Sequence, residues 1–141
     1  MEGQALFSTV LRPSDPTRAT GEQGTAVVDF VLVGALLTLL CMSVIQLMLV
    51  LHVRNTLVDA AASGARYGAL ADRTSSEAKA RTAELITAAL NEGFAQSITT
   101  SEEVTDGIRT LEVTVKAPMP VLGLVGPEGL MEVHGHAALP G

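Results

Sequence analysis

The chain is poor in aromatic residues and in clustered positive charge. It contains no Trp, one Tyr and three Phe in 141 residues, and its net charge is −6. A surface that stacks nucleic-acid bases needs aromatic side chains, and a surface that binds phosphates needs grouped Lys and Arg. No basic cluster occurs in the sequence. We therefore expect no nucleic-acid partner.

Cysteine and the common catalytic patterns are also scarce. The single cysteine, Cys41, excludes a disulfide within the chain, and it lies in an apolar stretch away from any His. The sequence has no Gly-x-Ser-x-Gly nucleophile turn and no glycine loop of the P-loop or dinucleotide-binding kind. We expect neither an enzyme nor a cofactor.

What the chain does have is one long apolar run, residues 30–51, which contains 22 residues without a charge. As a helix it would extend roughly 33 Å, enough to cross a hydrocarbon core of about 30 Å. A buried core helix is the alternative, but a domain this small rarely encloses a helix that is apolar on every side. The run predicts a single transmembrane helix over residues 25–51, with the lipid bilayer as a partner.

The residues before the run are polar. Residues 1–24 are rich in Pro, Gly, Ser and Thr, which predicts a disordered leader. A secretory signal is excluded because the apolar stretch is too long. Asp29 directly precedes the run, and two interpretations are open. Its carboxylate either stabilises the N-terminal end of a helix, or it awaits a positive partner in the membrane, such as a new α-amino group.

The apolar run continues into a helical pattern with small residues on one side. Ala60, Ala61, Gly64 and Gly68 recur at steps of three and four residues, and we call this set the small-residue stripe. Such a stripe allows another helix to approach closely, but it can equally pack against the sheet of its own chain.

The rest of the chain predicts a second helix followed by strands. Thr74 and Glu77 form a capping box that opens an amphipathic helix ending near residue 91. Asp106 and Gly107 predict a hairpin turn between strands near residues 97–104 and 110–116. A third strand is expected over residues 130–138.

These elements give the predicted fold class, α+β and pilin-like. A long N-terminal transmembrane helix continues outside the membrane and is followed by an amphipathic helix and a small antiparallel sheet of about three strands. Before the third strand, the apolar residues 117–127 contain too much Pro and Gly for a central strand. They either form a contact surface for the membrane or another subunit, or fold back over the sheet.

The third strand raises the question of a metal. His134 and His136 would lie on one face with Glu132 in line. Zinc needs a third or fourth ligand, and its spacing is not visible here. Two solvent-facing His side chains are the commoner arrangement, so we predict no metal site. A membrane-tethered metal-binding protein is kept as an alternative.

The sequence resembles a known family at three places: the junction GTAVVDFVLV, the helix VRNTLVDAAASGARYGAL and the small β-rich tail. Gly24 followed by four residues and an acidic residue resembles the prepilin-type signal of type IV pilins. Together the three features resemble the TadE-like proteins of tight-adherence (Flp-type) pilus systems.

The resemblance implies roles for particular residues. A prepilin peptidase would cut between Gly24 and Thr25 on the cytoplasmic side, which makes Asp29 the fifth mature residue, at a position where the family usually has Glu. Asp29 would pair with the amine of Thr25, its own or a neighbour's. Gly64 and Arg66, in the Gly-Ala-Arg run, would serve subunit assembly.

The resemblance also implies a function and a location. The chain would be a minor pilin or pseudopilin-like component of a tight-adherence pilus or related secretion system, acting by helix packing. Its partners would be other pilin-like subunits, the pilus assembly platform and the prepilin peptidase. It would cross the inner membrane once, with residues 1–24 in the cytoplasm and residues 52–141 outside. The alternative is an unprocessed, signal-anchored extracytoplasmic binding module.

Overall fold

The computed structural model describes residues 16–120 and 129–141. Its elements, in chain order, are α1 Pro16–Gly68, α2 Ser75–Ala89, β1 Ser97–Thr105, β2 Ile108–Pro118 and β3 Leu130–Ala138. A single 3-10 turn, Glu92–Phe94, stands between α2 and β1. The strands form one antiparallel sheet in the order β1-β2-β3. The predicted α+β fold class is confirmed.

Helix α1 begins earlier than the sequence predicted. The leader was expected to be disordered to residue 24, whereas residues 16–24 are helical; residues 1–15 lie outside the described residues. Pro16 suits a first turn, because its missing N–H would have had no partner there. Once a helix is nucleated, each added residue gains a hydrogen bond without a new nucleation cost. The long apolar helix therefore extends into polar sequence.

The chain divides into two compact units, and the first ends at Cys41. Its described part is entirely helix, and every side chain from Gly21 to Cys41 is exposed. An 18-residue apolar window in α1 is long enough to cross a membrane, and none of it is buried. A core helix of a soluble domain would be mostly covered. The helix is therefore a candidate membrane anchor.

The second unit runs from Met42 to Gly141, so the folded domain begins before residue 52, the predicted boundary. Gln46 Nε2 donates a hydrogen bond to the carbonyl oxygen of Pro120 at 2.8 Å. Leu49 and Val50 pack against the core from the same stretch of α1. The last turns of the apolar run thus belong to the domain. Residues 121–128 of the predicted apolar loop lie outside the described residues.

The core of this unit lies between the helices and the inner face of the sheet. Its largest fully buried apolar side chains are Leu57, Ile86, Leu111, Val113 and Val115. The three from β2 alternate with half-buried Glu112 and Thr114, the period expected of a strand with one covered face.

Local sequence signals set the ends of several elements. The Thr74 side chain accepts a hydrogen bond from the Glu77 N–H, and the Glu77 carboxylate accepts one from the Thr74 N–H at 2.8 Å, so the predicted capping box is confirmed. Helix α2 ends at Ala89, slightly before the predicted residue 91. Asp106 and Gly107 have φ of 53° and 80°, the left-handed conformation that a tight hairpin turn requires. Strand β3 has its predicted bounds.

The small-residue stripe of α1 packs within its own chain. A Cβ on Gly64 would overlap Thr82 of α2, and a Cβ on Gly68 would overlap Ala78. On the sheet side, a Cβ on Gly135 of β3 would overlap the backbone of Ala61 and its neighbour Ala62. Of the two interpretations of the stripe, the structure supports packing against the chain's own elements.

Gly135→Ala should destabilise the domain, because the added methyl group meets backbone atoms that cannot rotate away. Overpacking of this kind costs about 1–3 kcal/mol. The measurement is the free energy of unfolding of the purified full chain in detergent micelles. Gly34→Ala is the control, because a Cβ there meets nothing within 4 Å. Equal stability of the two variants would contradict the close packing at Gly135.

Candidate functional site

Three candidate site residues lie close together on α1. Gly24, Thr25 and Asp29 occupy neighbouring turns and are all exposed. The Thr25 hydroxyl donates to the carbonyl oxygen of Gly21 at 3.0 Å, an ordinary bond within a helix. The structure thus presents this junction on an uncovered helix surface.

Gly24 has no packing role among the described residues. A Cβ at this position would meet nothing within 4 Å, in contrast to Gly64, Gly68 and Gly135. A glycine in a helix interior costs about 1 kcal/mol relative to alanine. Folding of the described chain therefore gives no reason for glycine at position 24.

Asp29 is an interior residue of α1 in the intact chain. Because the helix begins at Pro16, Asp29 lies more than three turns from its first residue and outside the first turn, where the backbone N–H groups are unpaired. The first interpretation, a carboxylate stabilising the start of the helix, therefore does not apply to α1 as the structure shows it. Within residues 16–120 and 129–141, no cationic side chain forms an ion pair with Asp29.

The two other candidates for subunit assembly differ in exposure. Gly64 is buried and faces Ala78 and Thr82 of α2, so the close approach that it permits is used within the chain. We therefore remove Gly64 from the surface available to another subunit. Arg66 is exposed and forms no ion pair with any residue that the structure describes. It remains a candidate for contact with a partner.

A second polar group lies on the outer face of the sheet. Glu112 and Thr114 of β2 face His136 and His134 of β3. The Thr114 hydroxyl donates to Glu112 Oε1 at 2.9 Å, and His134 Nδ1 lies 2.9 Å from the same oxygen. His136 Nδ1 is 3.5 Å from the other oxygen, and Glu132 Oε1 is 3.4 Å from His134 Nε2. The two imidazoles thus share the carboxylate of Glu112.

We call this group, Glu112, Thr114, Glu132, His134 and His136, the outer-face cluster, and its side chains are placed to hydrogen-bond to one another. The two rings are nearly parallel, with centroids 6.4 Å apart. In the part of the chain that the structure describes, no three His, Cys, Asp or Glu side chains are placed to hold a metal ion. The predicted alignment of His134, His136 and Glu132 on one face is confirmed.

Sequence reasoning missed Glu112 and Thr114 as partners of the two histidines. Their alternation on β2 was visible, but the pairing of β2 with β3 was not. The register would have revealed them, because Glu112 pairs with His136 and Thr114 pairs with His134. The long connection between the strands leaves that register unspecified in the sequence.

The outer-face cluster lowers the pKa of Glu112 below its ordinary value of 4.5. The largest cause is the hydrogen bond from the Thr114 hydroxyl, followed by the bond to His134. Both favour the ionised carboxylate. The folded state therefore binds the proton of Glu112 less tightly than the unfolded state.

This difference predicts a pH dependence. The stability from Glu112 is fully present above the unfolded pKa, near 4.5, and is lost as the pH falls through the lower folded pKa. Glu112→Gln should therefore show a smaller loss of unfolding free energy than the parent chain between neutral pH and the acid range. Glu103→Gln, on the same sheet face outside the cluster, is the control. Parallel acid profiles for the parent and Glu112→Gln would contradict the coupling.

Comparison with known proteins supplies a family for part of the chain. Residues 24–66 match the family model described as TadE-like protein. No curated protein and no solved structure matches the chain. The matched segment begins at Gly24, includes Thr25, Asp29 and the exposed apolar helix, and ends at Arg66. The resemblance to the TadE-like family is thereby confirmed over residues 24–66, and the chain carries a TadE-like segment on helix α1.

Proposed function

We propose that the chain is a minor pilin or pseudopilin-like assembly component of a tight-adherence (Flp-type) pilus or related secretion system. It acts by helix packing with other pilin-like subunits and on the assembly platform, not by catalysis. The observation that carries the proposal is the TadE-like match over residues 24–66, on a helix whose apolar surface is exposed.

The exposed surface of α1 supports a role in helix packing. From Val27 to Ile45 the large apolar side chains are uncovered by any other described part of the chain. Between Asp29 and Arg54 the sequence carries no Asp, Glu, Lys or Arg. A helix of this kind is stable among lipid chains and equally among other apolar helices. A subunit that is first held in the membrane and then packs against other subunits needs a helix that is stable in both surroundings.

The surroundings of Gly24 support processing by a prepilin peptidase. Glycine there serves no described contact, so the residue is free to serve recognition by the peptidase. Gly24, directly before the bond to be cut, weakens the helix by about 1 kcal/mol relative to alanine. Local opening of the backbone, which a peptidase needs in order to reach the bond before Thr25, is therefore easier at this point.

Asp29 would gain a partner once that bond is cut. A charged Asp is costly in a membrane helix, although less so at the end of the apolar run, where Asp29 lies, than at the centre. Residues four apart on a helix have Cβ atoms about 5–6 Å apart, so the new amine of Thr25 would lie one turn from the carboxylate. The amine of a neighbouring subunit offers the same chemistry. In a medium of low dielectric such a pair is strongly favoured over separate charges.

The proposal includes a location. The residues up to Gly24 lie in the cytoplasm, α1 crosses the inner membrane with the apolar run, and residues 52–141 lie on the outer side. Arg66 and the outer-face cluster are then available to partners beyond the membrane.

Gly24→Ala should block removal of residues 1–24 in cells that contain the prepilin peptidase. Alanine favours the helix and meets no neighbour, so loss of processing would not reflect misfolding. Intact mass of the protein purified from its native membrane is the measurement. Gly21→Ala is the matched control, because it lies on the same helix in equally open surroundings.

The parent chain and Gly21→Ala should both begin at Thr25. A parent chain that keeps residues 1–24 would contradict the proposal and favour the unprocessed, signal-anchored module. Normal cleavage of Gly24→Ala would exclude Gly24 as the recognition residue.

Asp29→Asn should leave processing intact and lower incorporation into pilus or assembly complexes several-fold, because a neutral amide does not pair with an ammonium group. The measurement is the ratio of sheared or complex-bound protein to processed protein in the membrane. Asp29→Glu keeps the charge and should assemble at near the parent level. Assembly of Asp29→Asn at the parent level would exclude the amine-pairing role.

A further inference from the structure

Strand β2 runs alongside the later part of α1 in the opposite direction. At one end, Leu111 Cδ2 would lie 2.8 Å from a Cβ on Gly68. At the other, Gln46 Nε2 donates to the carbonyl oxygen of Pro120 at 2.8 Å. The helix rises about 33 Å between Gly68 and Gln46. The extended chain from Leu111 to Pro120, which is strand as far as Pro118, rises about 30 Å. The two lengths agree, so the helix and strand axes are nearly parallel.

This arrangement gives the sheet a defined end next to the apolar run. The Met119 N–H donates to the carbonyl oxygen of Gly129 at 3.2 Å, so both ends of the β2–β3 connection lie together. Because Pro120 accepts the hydrogen bond from Gln46, the two ends of the connection lie at the level of Gln46 along α1. Gln46 is five residues before the end of the apolar run at residue 51, which is about 7.5 Å along the helix. We call this part of the domain, Met119, Pro120, Gly129 and Leu130, the apolar sheet end.

The positions of the charges mark a common boundary on the helix and the sheet. The first charged residue of α1 after the run is Arg54, about 12 Å beyond Gln46. On the sheet, Lys116 and Glu132 form an ion pair at 3.4 Å. Lys116 is four residues from Pro120, about 13 Å along the strand. The first charges on both elements therefore lie at one level, and the described side chains of β2 and β3 below it are uncharged.

The bond between Gln46 and Pro120 fits a position away from water. An amide or carbonyl group that is taken out of water without a hydrogen-bond partner destabilises the folded state. In water both groups would find partners without each other. Among hydrocarbon chains each group requires a partner from the protein. Within the connection, residues 119–130 carry a single charged residue, Glu128.

We propose that the apolar sheet end is immersed among the acyl chains of the outer leaflet beside α1, so that the domain touches the bilayer directly. The proposal rests on the membrane anchoring by α1 proposed above. The partner surface is lipid, because the apolar sheet end continues the apolar surface of α1 at the same depth. Leu130, which is 72% exposed, would contact acyl chains. The β1–β2 hairpin, at the other end of the sheet, would face water.

Because the chain contains no Trp, a variant with one added Trp reports on that position alone. Leu130→Trp reports on the apolar sheet end. Val104→Trp is the matched control, because Val104 is 70% exposed and lies beside the opposite end of the sheet. Leu36→Trp, at a position 66% exposed on α1, reports whether the helix is in the bilayer. Each full-length variant is placed in phosphatidylcholine vesicles with brominated acyl chains, which quench Trp fluorescence on contact.

The expected result is that Leu36→Trp and Leu130→Trp lose most of their emission while Val104→Trp keeps it. Quenching of Leu36→Trp without quenching of Leu130→Trp would overturn the immersion and leave the anchor intact. A Leu130→Trp emission that is blue-shifted but unquenched would mean cover by protein, such as a second copy, and would also overturn it. Absence of quenching for Leu36→Trp would overturn the anchor and the immersion together.

A second measurement tests the same proposal if a Trp variant fails to fold. In a Cys41→Ala background, Leu130→Cys and Val104→Cys are treated with a water-soluble maleimide in plain phosphatidylcholine vesicles. The expected result is much slower labelling of Leu130→Cys, with equal labelling after denaturation. Equal rates in the vesicles would contradict the immersion.

Discussion

The packing of the folded domain depends on how closely other elements can approach the small-residue stripe of α1. Gly64 and Gly68 admit Ala78 and Thr82 of α2, and Gly135 admits the α1 backbone at Ala61. These contacts leave no room for a β-carbon, so they fix both α2 and the sheet against one helix. A stripe engaged in this way is not available to another subunit. In the proposed assembly, helix packing between subunits would use the exposed apolar side chains of α1 from Val27 to Met48.

The packing of both helices against one side of the sheet gives the sheet a buried inner face and an exposed outer face. With α1 and α2 on the inner face of the sheet, the alternation along β2 and β3 sends Glu112, His134 and His136 outward. These side chains satisfy one another by hydrogen bonds and do not converge on a metal ion within the described residues. The outer face is thus a polar surface whose side chains hydrogen-bond to one another.

Sequence predicted those features that depend on neighbouring residues. The capping box at Thr74, the turn at Asp106 and Gly107, and the bounds of β3 each follow from a few adjacent positions. The features that it did not predict depend on distant contacts or on cooperativity. Gln46 and Pro120 are 74 residues apart, and the partners of His134 depend on a strand register. The start of α1 at Pro16 depends on extension of a helix nucleated elsewhere.

The residues of the candidate site also differ in whether the sequence alone could identify their roles. Gly24, Thr25 and Asp29 were identifiable because a motif directly adjoins the apolar run. The pattern also showed that one side of α1 is small around Gly64, but a pattern of small residues does not say what covers them. Only the packed structure distinguishes Gly64, which is covered by α2, from Arg66, which is exposed.

Under the proposed processing, the cut before Thr25 changes the environment of Asp29 in two ways. In the intact chain its carboxylate lies in the interior of a helix that begins at Pro16, where no backbone N–H group is unpaired. After the cut, α1 would begin at Thr25, and Asp29 would lie just beyond the first turn, near the positive end of the helix dipole. The new α-amino group would add a full positive charge one turn away. The helix end and the amine would both attract the Asp29 carboxylate, which gives a physical reason for processing to precede assembly.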